Sequence, residues 1–489
     1  MTGKSLARWF HRESVPWWTL CVVGLVELLL CIQFHRQRWD QVIMRRPLAN
    51  GRMGEGLVIH WNGLGYYAWL RSALIDGDWD FDNEFDEHNP YKYYVPPPQY
   101  RTPLGRRANQ WSVGPACIWA TTVVPAHFLL KAAGGSIEPW ATDGYSLPYQ
   151  WVVGSTSFLV AILGLPLLYG ICRIQASPLR AAMAAALVTL GTTIVYFNAV
   201  EITLPHGLGT TVFSGLVYYW MITYGSLKPV RWFMVGALVG VTALIRWQMA
   251  TFSVLLIAEW LMNVRQGRNS TSLACLGGLG AVAAVVPQLF AWKCLYGTWL
   301  VNPIQGVTYH WLSPSLWEVL CSQDRSLFYW TPLTVIACIG TFGFMLSRPT
   351  LSILALAFVI QVYALAAMWG KGALLETTGN YAGVFLARSY GFRDLTESLV
   401  VLAPGLAYLL ERLSVRWFKA LVVLGLLLVA WNLILVSLYT NGMVSSLAGA
   451  SPWQLLTQAA QLASKMPFLF WQSFAGSVVI GVLLFLGKP

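Results

Sequence analysis

Long apolar segments recur along this 489-residue chain and strongly constrain what it can fold into. A membrane-spanning α-helix needs roughly 20 apolar residues. Segments of that kind lie at 17–34, 150–173, 180–198, 207–226, 230–246, 248–263, 273–295, 326–346, 351–369, 396–412, 416–440 and 469–487. Only 11% of the residues are charged, whereas a soluble domain carries about 25%. The sequence therefore predicts an all-α polytopic membrane protein with a bundle of about twelve transmembrane helices.

A further apolar segment, 111–133, decides the topology. If this segment lies at the membrane surface, the basic residues of the short connections all fall on one side: Arg173, Arg180, Lys228, Arg231, Arg265, Arg268, Arg348, Arg412, Arg416 and Lys419. Cytoplasmic connections are enriched in Lys and Arg. We therefore expect a non-spanning 111–133 segment and both chain ends in the cytoplasm.

This topology predicts the organisation of the whole chain. A cytoplasmic segment, 1–16, precedes the first transmembrane helix, 17–34. A large extracytoplasmic loop with juxtamembrane helices follows at 35–149. The transmembrane bundle then occupies 150–489, with outer loops near 199–206, 296–325, 370–395 and 441–468.

Charge and cysteine content exclude several classes of function. The net charge of +11 falls on no basic soluble domain, so we expect no nucleic-acid partner. The eight cysteines show no metal-binding spacing, and most lie in apolar segments. Transporters usually carry charge at mid-membrane and broken helices in two related halves, neither of which the sequence indicates.

The densest charge lies in the first loop, where five carboxylates fall within residues 76–84. Charge is costly in hydrocarbon, so this acidic run must lie in water or in a polar cavity at the membrane edge. Asp78, Asp80 and Asp82 could hold a divalent cation such as Mg²⁺ or Mn²⁺. Alternatively, the run supplies a general base, or it is a solvated acidic turn.

Three residues outside the acidic run are candidate ligands of an anionic substrate. His206 follows a proline at the outer end of a spanning segment, where substrate or a loop carbonyl could bind it. Arg246 separates two apolar segments. Its planar guanidinium matches the geometry of a phosphate, although a side chain that extends to the membrane interface explains its position equally well. Arg393 suits a phosphate too, or a structural pair with Asp394.

A series of short motifs resembles one family. Two of them lie in the first loop: Asn62-Gly-x-Gly-Tyr-Tyr-x-x-Leu-Arg-Ser and Asp76-Gly-Asp78-x-Asp80-Phe-x-Asn83-Glu84-Phe85. Others follow in order at 111–115, 141–146, 204–206, 244–248, 296–303, 327–332 and 389–393. Together they resemble bacterial GT-C superfamily glycosyltransferases, and within them the protein O-mannosyltransferase and aminoarabinose-transferase (family 39-like) branch.

The resemblance implies transfer of a sugar from a polyprenyl-phosphate carrier to an acceptor on the extracytoplasmic face of the bacterial inner membrane. An acidic residue of the first outer loop would activate the acceptor hydroxyl, basic residues would hold the carrier phosphate, and some members bind a divalent metal. The motif residues Asn62, Tyr66 and Arg71 are then expected to contact substrate. Membrane lipids are expected partners, and the acceptor is a lipid, a glycan or a protein.

One departure from the family pattern concerns the general base. Relatives usually carry Asp where this chain has Asn62, and an amide takes no proton at neutral pH. The base is then Asp76, Asp78 or Glu84, or else Asp40 or Glu55. Otherwise the chain is a catalytically altered subunit that binds lipid-linked glycan or scaffolds a membrane complex.

Overall fold

The computed structural model describes residues 14–43, 58–89, 96, 98–135, 140–302, 309–323, 325–348, 352–368, 389–441, 443–444 and 451–465. Within these residues the chain is all-helical, and the β-structure consists of an isolated bridge between Arg101 and Arg107. The predicted all-α fold is therefore confirmed. The last predicted transmembrane segment, 469–487, lies outside the described residues, as do positions 370–388 and Glu55.

The first part of the chain supplies one long helix and a folded loop. Helix α1 spans Ser14–Ile43, and two loop helices follow, α2 at Asn62–Arg71 and α3 at Gly114–Ala132. Two π-helical turns, Ser72–Asp76 and Asn83–Glu87, enclose the acidic run. The 35–149 loop thus contains helices, as expected.

The rest of the described chain forms the bundle. Its helices are α4 Leu147–Arg173, α5 Pro178–Leu190, α6 Ile194–Ala199, α7 His206–Thr223, α8 Pro229–Ile245, α9 Val254–Arg265, α10 Thr271–Tyr296, α11 Leu316–Leu320, α12 Leu327–Trp330, α13 Leu333–Ser347, α14 Ser352–Met368, α15 Leu402–Arg412, α16 Val415–Thr440 and α17 Pro452–Lys465. Short segments of 3₁₀-helix lie at Trp247–Ser253, Arg393–Leu395 and Glu397–Val401.

Four described helices are long and apolar enough to cross a membrane, by length and composition. They are Pro16–His35, Leu147–Arg173, Thr271–Tyr296 and Val415–Thr440. Four shorter apolar helices accompany them, α5, α8, α13 and α14. Several predicted spans are interrupted instead of continuous, so the predicted count of about twelve spans stays a prediction.

At the break between α5 and α6, a side chain from another helix forms the hydrogen bonds that the interrupted backbone lacks. The Asn432 amide on α16 donates to the carbonyls of Leu190 and Thr192, and its oxygen accepts from the Tyr390 hydroxyl at 2.6 Å. Irregular backbone at membrane depth is tolerated only when protein groups bind it in this way. A uniformly apolar sequence pattern carries no sign of such a break.

Close helix packing explains the glycine-rich stretch 277–280 of α10. A Cβ at Gly236 of α8 would overlap the carbonyl of Gly277, and a Cβ at Gly280 would overlap the carbonyl of Phe233. The two backbones therefore approach more closely than any larger residue allows. Gly236 and Gly280 thus serve helix packing, whereas a Cβ at Gly278 would meet no atom within 4 Å.

The helix connections lie at two ends of the bundle. At one end, which we call the basic end, Ser177 binds Glu411 at 2.8 Å, and Arg231 pairs with Glu259, also at 2.8 Å. The opposite end, which we call the loop end, carries residues 58–146 together with 199–206, 246–253 and 389–402. Arg180 also lies at the basic end, where it donates to the carbonyls of Leu410 and Glu411.

Helix α3 stays near the loop end. Its first residue, Gly114, packs against the carbonyl of Leu244, at the C-terminus of α8. Trp119 then donates to Ser157, and His127 lies 2.6 Å from the Tyr149 hydroxyl, so α3 runs back along the first turns of α4. The position of this helix relative to the membrane stays a prediction.

Candidate active site

The Asn62 motif folds as α2 because its glycines allow close packing on two sides. A Cβ at Gly63 would overlap Thr203, and a Cβ at Gly65 would overlap the Trp111 ring. Residues 63–71 of the helix are all buried. Half-buried Asn62 begins the helix, and the motif positions Tyr66 and Arg71 on its later turns.

Four residues singled out in the sequence analysis meet at the loop end. Tyr66, His206, Arg246 and Arg393 join Asp394 and Glu397 in one group of charged and polar side chains, which we call the Arg246 cluster. They come from four separate segments of the chain. All of them except Tyr66 lie at or next to a helix end, where the backbone changes direction.

Arg246 is the centre of this cluster. Its Nη2 atom lies 2.5 Å from Asp394 Oδ1, its Nε lies 3.7 Å from Glu397 Oε1, and it interacts electrostatically with the Tyr66 hydroxyl. The guanidinium is therefore paired within the protein and does not snorkel. Arg393 is 3.9 Å from the same Asp394 oxygen, so two guanidiniums converge on one carboxylate.

His206 and Glu397 complete the cluster with atoms that lack partners. His206 Nδ1 lies 2.9 Å from Glu397 Oε1, and because a carboxylate only accepts, Nδ1 carries the hydrogen. Within the described residues, His206 Nε2 and Glu397 Oε2 are buried without a hydrogen-bond partner. Buried polar atoms are nearly always satisfied, so these two indicate a place for a ligand or water.

The acidic residues Asp76 and Glu84 lie in a second group, around Arg71. Arg71 Nη1 lies 2.5 Å from Asp76 Oδ2 and 2.9 Å from Glu84 Oε1, and its Nε donates to the Asp143 carbonyl. Glu84 is fully buried, and burial raises its pKa to about 8 although Arg71 acts in the opposite direction. The structure thus places these two predicted catalytic carboxylates in an ion-pair network.

A raised pKa makes the stability of this loop depend on pH. Since the pKa of Glu84 is higher in the folded protein than in the unfolded chain, its contribution to stability is complete below the unfolded pKa of about 4.5. It is lost as pH rises through about 8. We expect Glu84→Gln, which keeps an oxygen for Arg71, to be more thermostable than the parent by an amount that grows between pH 6 and pH 9.

The measurement is the melting temperature in detergent across that pH range. Glu87→Gln is the control, because Glu87 is an exposed carboxylate on the same π-helical turn. Parallel melting curves for parent and Glu84→Gln would contradict the assignment.

The remaining aspartates of the run bind within the loop. Asp78 accepts from the Ser72 hydroxyl at 2.9 Å, and Asp80 accepts from the backbone of Asp82. Asp82 itself lies 2.6 Å from Arg101 and 3.1 Å from Arg107. Partial burial alone raises the pKa of Asp82, but the two guanidiniums outweigh it and hold that pKa below its usual range.

This arrangement does not fit the predicted cation site. Across the described ranges, no three acidic, histidine or cysteine side chains come together as metal ligands. Asp82 pairs with two guanidiniums, whereas a cation site would need its carboxylate as a ligand together with those of Asp78 and Asp80. The divalent-cation site of Asp78, Asp80 and Asp82 therefore stays a prediction, and no step below uses a metal.

Sequence reasoning missed two participants at the loop end. Glu397 lies inside the predicted span 396–412, where a carboxylate in an apolar segment is itself a sign of function. His60 lies two positions before Asn62, and its Nε2 is 2.6 Å from Glu201 Oε2. Its separation from Glu201 along the chain hides this pair from any local pattern.

Comparison with known proteins gives a distant structural likeness. No protein-family model matches the sequence, and no curated protein matches it. Among solved structures, the chain is similar to the oligosaccharyltransferase of Archaeoglobus fulgidus in its apo form, with 10% sequence identity, a TM-score of 0.43 and 94% of this chain covered. The chain spans 56% of that protein's length. These comparisons do not assign the chain to a family.

Proposed function

We propose that the chain is a GT-C-type membrane glycosyltransferase that moves a sugar from a polyprenyl-phosphate carrier to an acceptor. The observation that carries the proposal is the Arg246 cluster, which gathers two guanidiniums and a histidine at the loop end. Guanidinium groups match phosphate geometry and remain charged when buried. The ordered series of GT-C-like motifs supports the same reading, since four of the motifs contribute residues to the cluster.

The cluster is suited to bind a phosphate whose charge increases during the reaction. When the bond between the sugar and the phosphate breaks, its electron pair moves to the phosphate oxygen. Arg246 and Arg393 would stabilise that charge, while Asp394 holds both guanidiniums in place beforehand. His206 Nε2 would supply a further contact, as an acceptor when neutral and as a donor when protonated.

The proposed setting follows from the distribution of basic residues. The basic end would face the cytoplasm and the loop end the extracytoplasmic side of a bacterial inner membrane. A carrier lipid would then reach the Arg246 cluster from the bilayer, while a lipid, glycan or protein acceptor arrives from water. No metal is needed for this arrangement of charge.

The test is donor consumption by the purified chain in lipid nanodiscs. A panel of polyprenyl-phosphate hexoses and pentoses is supplied, and released polyprenyl phosphate is measured. We expect turnover of at least one donor, and a fall of roughly 100-fold in kcat/KM for Arg393→Met because one cationic contact to the phosphate is lost.

Arg101→Met is the control for that variant, since Arg101 is exposed and pairs with Asp82 of the acidic run, and its loss is expected to leave turnover unchanged. The proposal is wrong if the parent chain consumes none of the donors. Equal rates for the parent and Arg393→Met would remove Arg393 from the phosphate site.

The second candidate function is a non-catalytic subunit that binds lipid-linked glycan or scaffolds a membrane complex. Asn62 favours it, because its amide cannot serve as a base at the position where the family pattern has a carboxylate. A subunit of this kind would bind polyprenyl phosphate without consuming any donor. Measuring binding and consumption on the same preparation separates the two functions.

A further inference from the structure

Helix α1 carries a carboxyl group within its membrane-crossing part. Glu27 lies near the middle of the candidate span Pro16–His35 and is the only acidic residue in that span. Its side chain is fully buried. A charged carboxylate at this depth is costly unless a partner compensates it, and acidic residues are kept there chiefly for a function. The contacts of Glu27 therefore need an explanation beyond helix packing.

The partner of Glu27 is an amide on helix α6. Asn198 Nδ2 donates to Glu27 Oε1 at 2.9 Å, and Asn198 is buried as well. Within the described residues, the two remaining oxygens of the pair, Glu27 Oε2 and Asn198 Oδ1, are buried without a hydrogen-bond partner. Buried polar atoms are nearly always satisfied. An ionised Glu27 leaves both oxygens as acceptors without a donor.

The surroundings of Glu27 do not compensate a negative charge. Within the part of the chain that the structure describes, Glu27 forms no ion pair. Helix α1 packs against α4, α5 and α6, whose charged residues, Arg173 and Arg180, donate to backbone carbonyls in and after the α4–α5 connection. Cys31, one turn further along α1, interacts electrostatically with Glu27, and the next ionisable residue of α1 is His35. None of these groups is a cation bound to the carboxyl.

One proton on Glu27 removes both the charge and the unsatisfied oxygens. A protonated Oε2 is a hydroxyl donor, and Asn198 Oδ1 is an acceptor on the same amide that already donates to Oε1. The acid and the amide then form a cyclic pair with two hydrogen bonds, which uses both carboxyl oxygens and the amide oxygen. The neutral acid is also far less costly to bury than a carboxylate.

We propose that Glu27 is a proton-binding site, and that its bound proton holds α1 against α6 through this acid–amide pair. Loss of the proton leaves Oε2 and Asn198 Oδ1 without a donor and buries an unpaired charge, which weakens the contact between the two helices. The pair lies close to the Arg246 cluster, because the ring centroid of the adjacent Phe197 is 4.2 Å from that of His206. The attachment of the first membrane helix beside this cluster thus depends on pH, whatever reaction the chain performs.

The first test compares the parent with Glu27→Gln, because glutamine is neutral and can still donate to Asn198 Oδ1 and accept from Nδ2. The melting temperature of each purified chain is measured in detergent between pH 6 and pH 9. A folded state that holds a proton which the unfolded chain releases loses stability as pH rises. We expect the folding equilibrium of the parent to weaken relative to Glu27→Gln by up to roughly tenfold per pH unit. Both proteins retain Glu84, so its titration cancels in the comparison.

Infrared spectroscopy supplies a readout that a purely structural contact would not produce. A protonated carboxyl has a C=O stretching band that a carboxylate lacks. The spectrum of the parent at neutral pH minus that of Glu27→Gln should contain this band. In Asn198→Leu the band should shift, because the hydrogen bond from Asn198 Nδ2 to Glu27 Oε1 is lost. Glu87→Gln, which removes an exposed carboxylate of the first loop, should leave the band unchanged.

The possible outcomes decide the assignment. Parallel melting curves for the parent and Glu27→Gln, or a difference spectrum without the carboxyl band, would overturn the proposal. A constant destabilisation of Glu27→Gln at every pH would overturn it too, because the charge itself would then stabilise the contact. If Glu27→Gln does not fold, the spectrum of the parent minus that of Asn198→Leu decides: a shifted carboxyl band supports the acid–amide pair, and an unchanged spectrum rules it out.

Discussion

Arg246→Met is expected to abolish donor turnover and to lower the stability of the protein. The substitution removes the cation that pairs with Asp394 and lies beside Glu397, so two carboxylates remain in a buried site without it. Breaking a buried ion pair by removing one partner costs about 3–5 kcal/mol. The readouts are the melting temperature in detergent and the rate of polyprenyl-phosphate release.

A second substitution separates the lost stability from the lost chemistry. In Arg246→Met/Asp394→Asn, the carboxylate that loses its nearer guanidinium is replaced by a neutral amide of similar shape. We expect this double variant to recover much of the melting temperature while its turnover stays at least about 100-fold below the parent. Recovery of turnover along with stability would show that Arg246 acts only as a structural partner.

Arg107→Met should unfold the acidic run, whereas Arg101→Met should barely affect it. The Arg107 guanidinium is fully buried, donates to Asp82, Asp86 and the Pro96 carbonyl, and lies over the Phe85 ring. Its removal leaves the Pro96 carbonyl without this donor and takes one guanidinium from Asp82 and Asp86, whose side chains are 39% and 51% exposed, at a cost of about 1–3 kcal/mol. The melting temperature of the purified chain and proteolysis within residues 72–107 measure the effect.

The matched variant tests burial as the cause of this difference. Arg101 shares Asp82 with Arg107, but its side chain is 38% exposed, and surface ion pairs contribute little. Arg101→Met should therefore melt close to the parent temperature. Equal destabilisation by the two substitutions would contradict the view that Arg107 organises the loop.

Local patterns predicted much of the architecture because the distribution of apolar residues along the chain indicates which segments form buried helices. Apolar segments indicated the all-helical fold, as observed. The same reasoning predicted no break within any of the spans. A break such as that after Leu190 depends on a side chain from a distant helix, Asn432, and local hydropathy cannot report it.

Residue chemistry also selected several members of the site before any geometry was known. Placing a charged or polar side chain next to an apolar membrane segment costs free energy, so such residues are often functional. This argument selected His206, Arg246 and Arg393. The sequence offered Asp394 only as a partner of Arg393. It could not say that Asp394 also pairs with Arg246, that Glu397 binds His206, or that Glu84 is fully buried beside Arg71. Proximity across more than a hundred residues is a property of the fold.

The sequence by itself determined the class of the protein, an apolar helical bundle with one charged loop, because burial and charge cost act on each segment separately. Only the tertiary structure decided which charges neutralise one another. Arg71 and Arg107 bind acidic residues of the loop, while the Arg246 cluster and the His60–Glu201 pair form between segments far apart in the chain. Electrostatic energies depend on distances and on exclusion of water, and both exist only once the helices have packed.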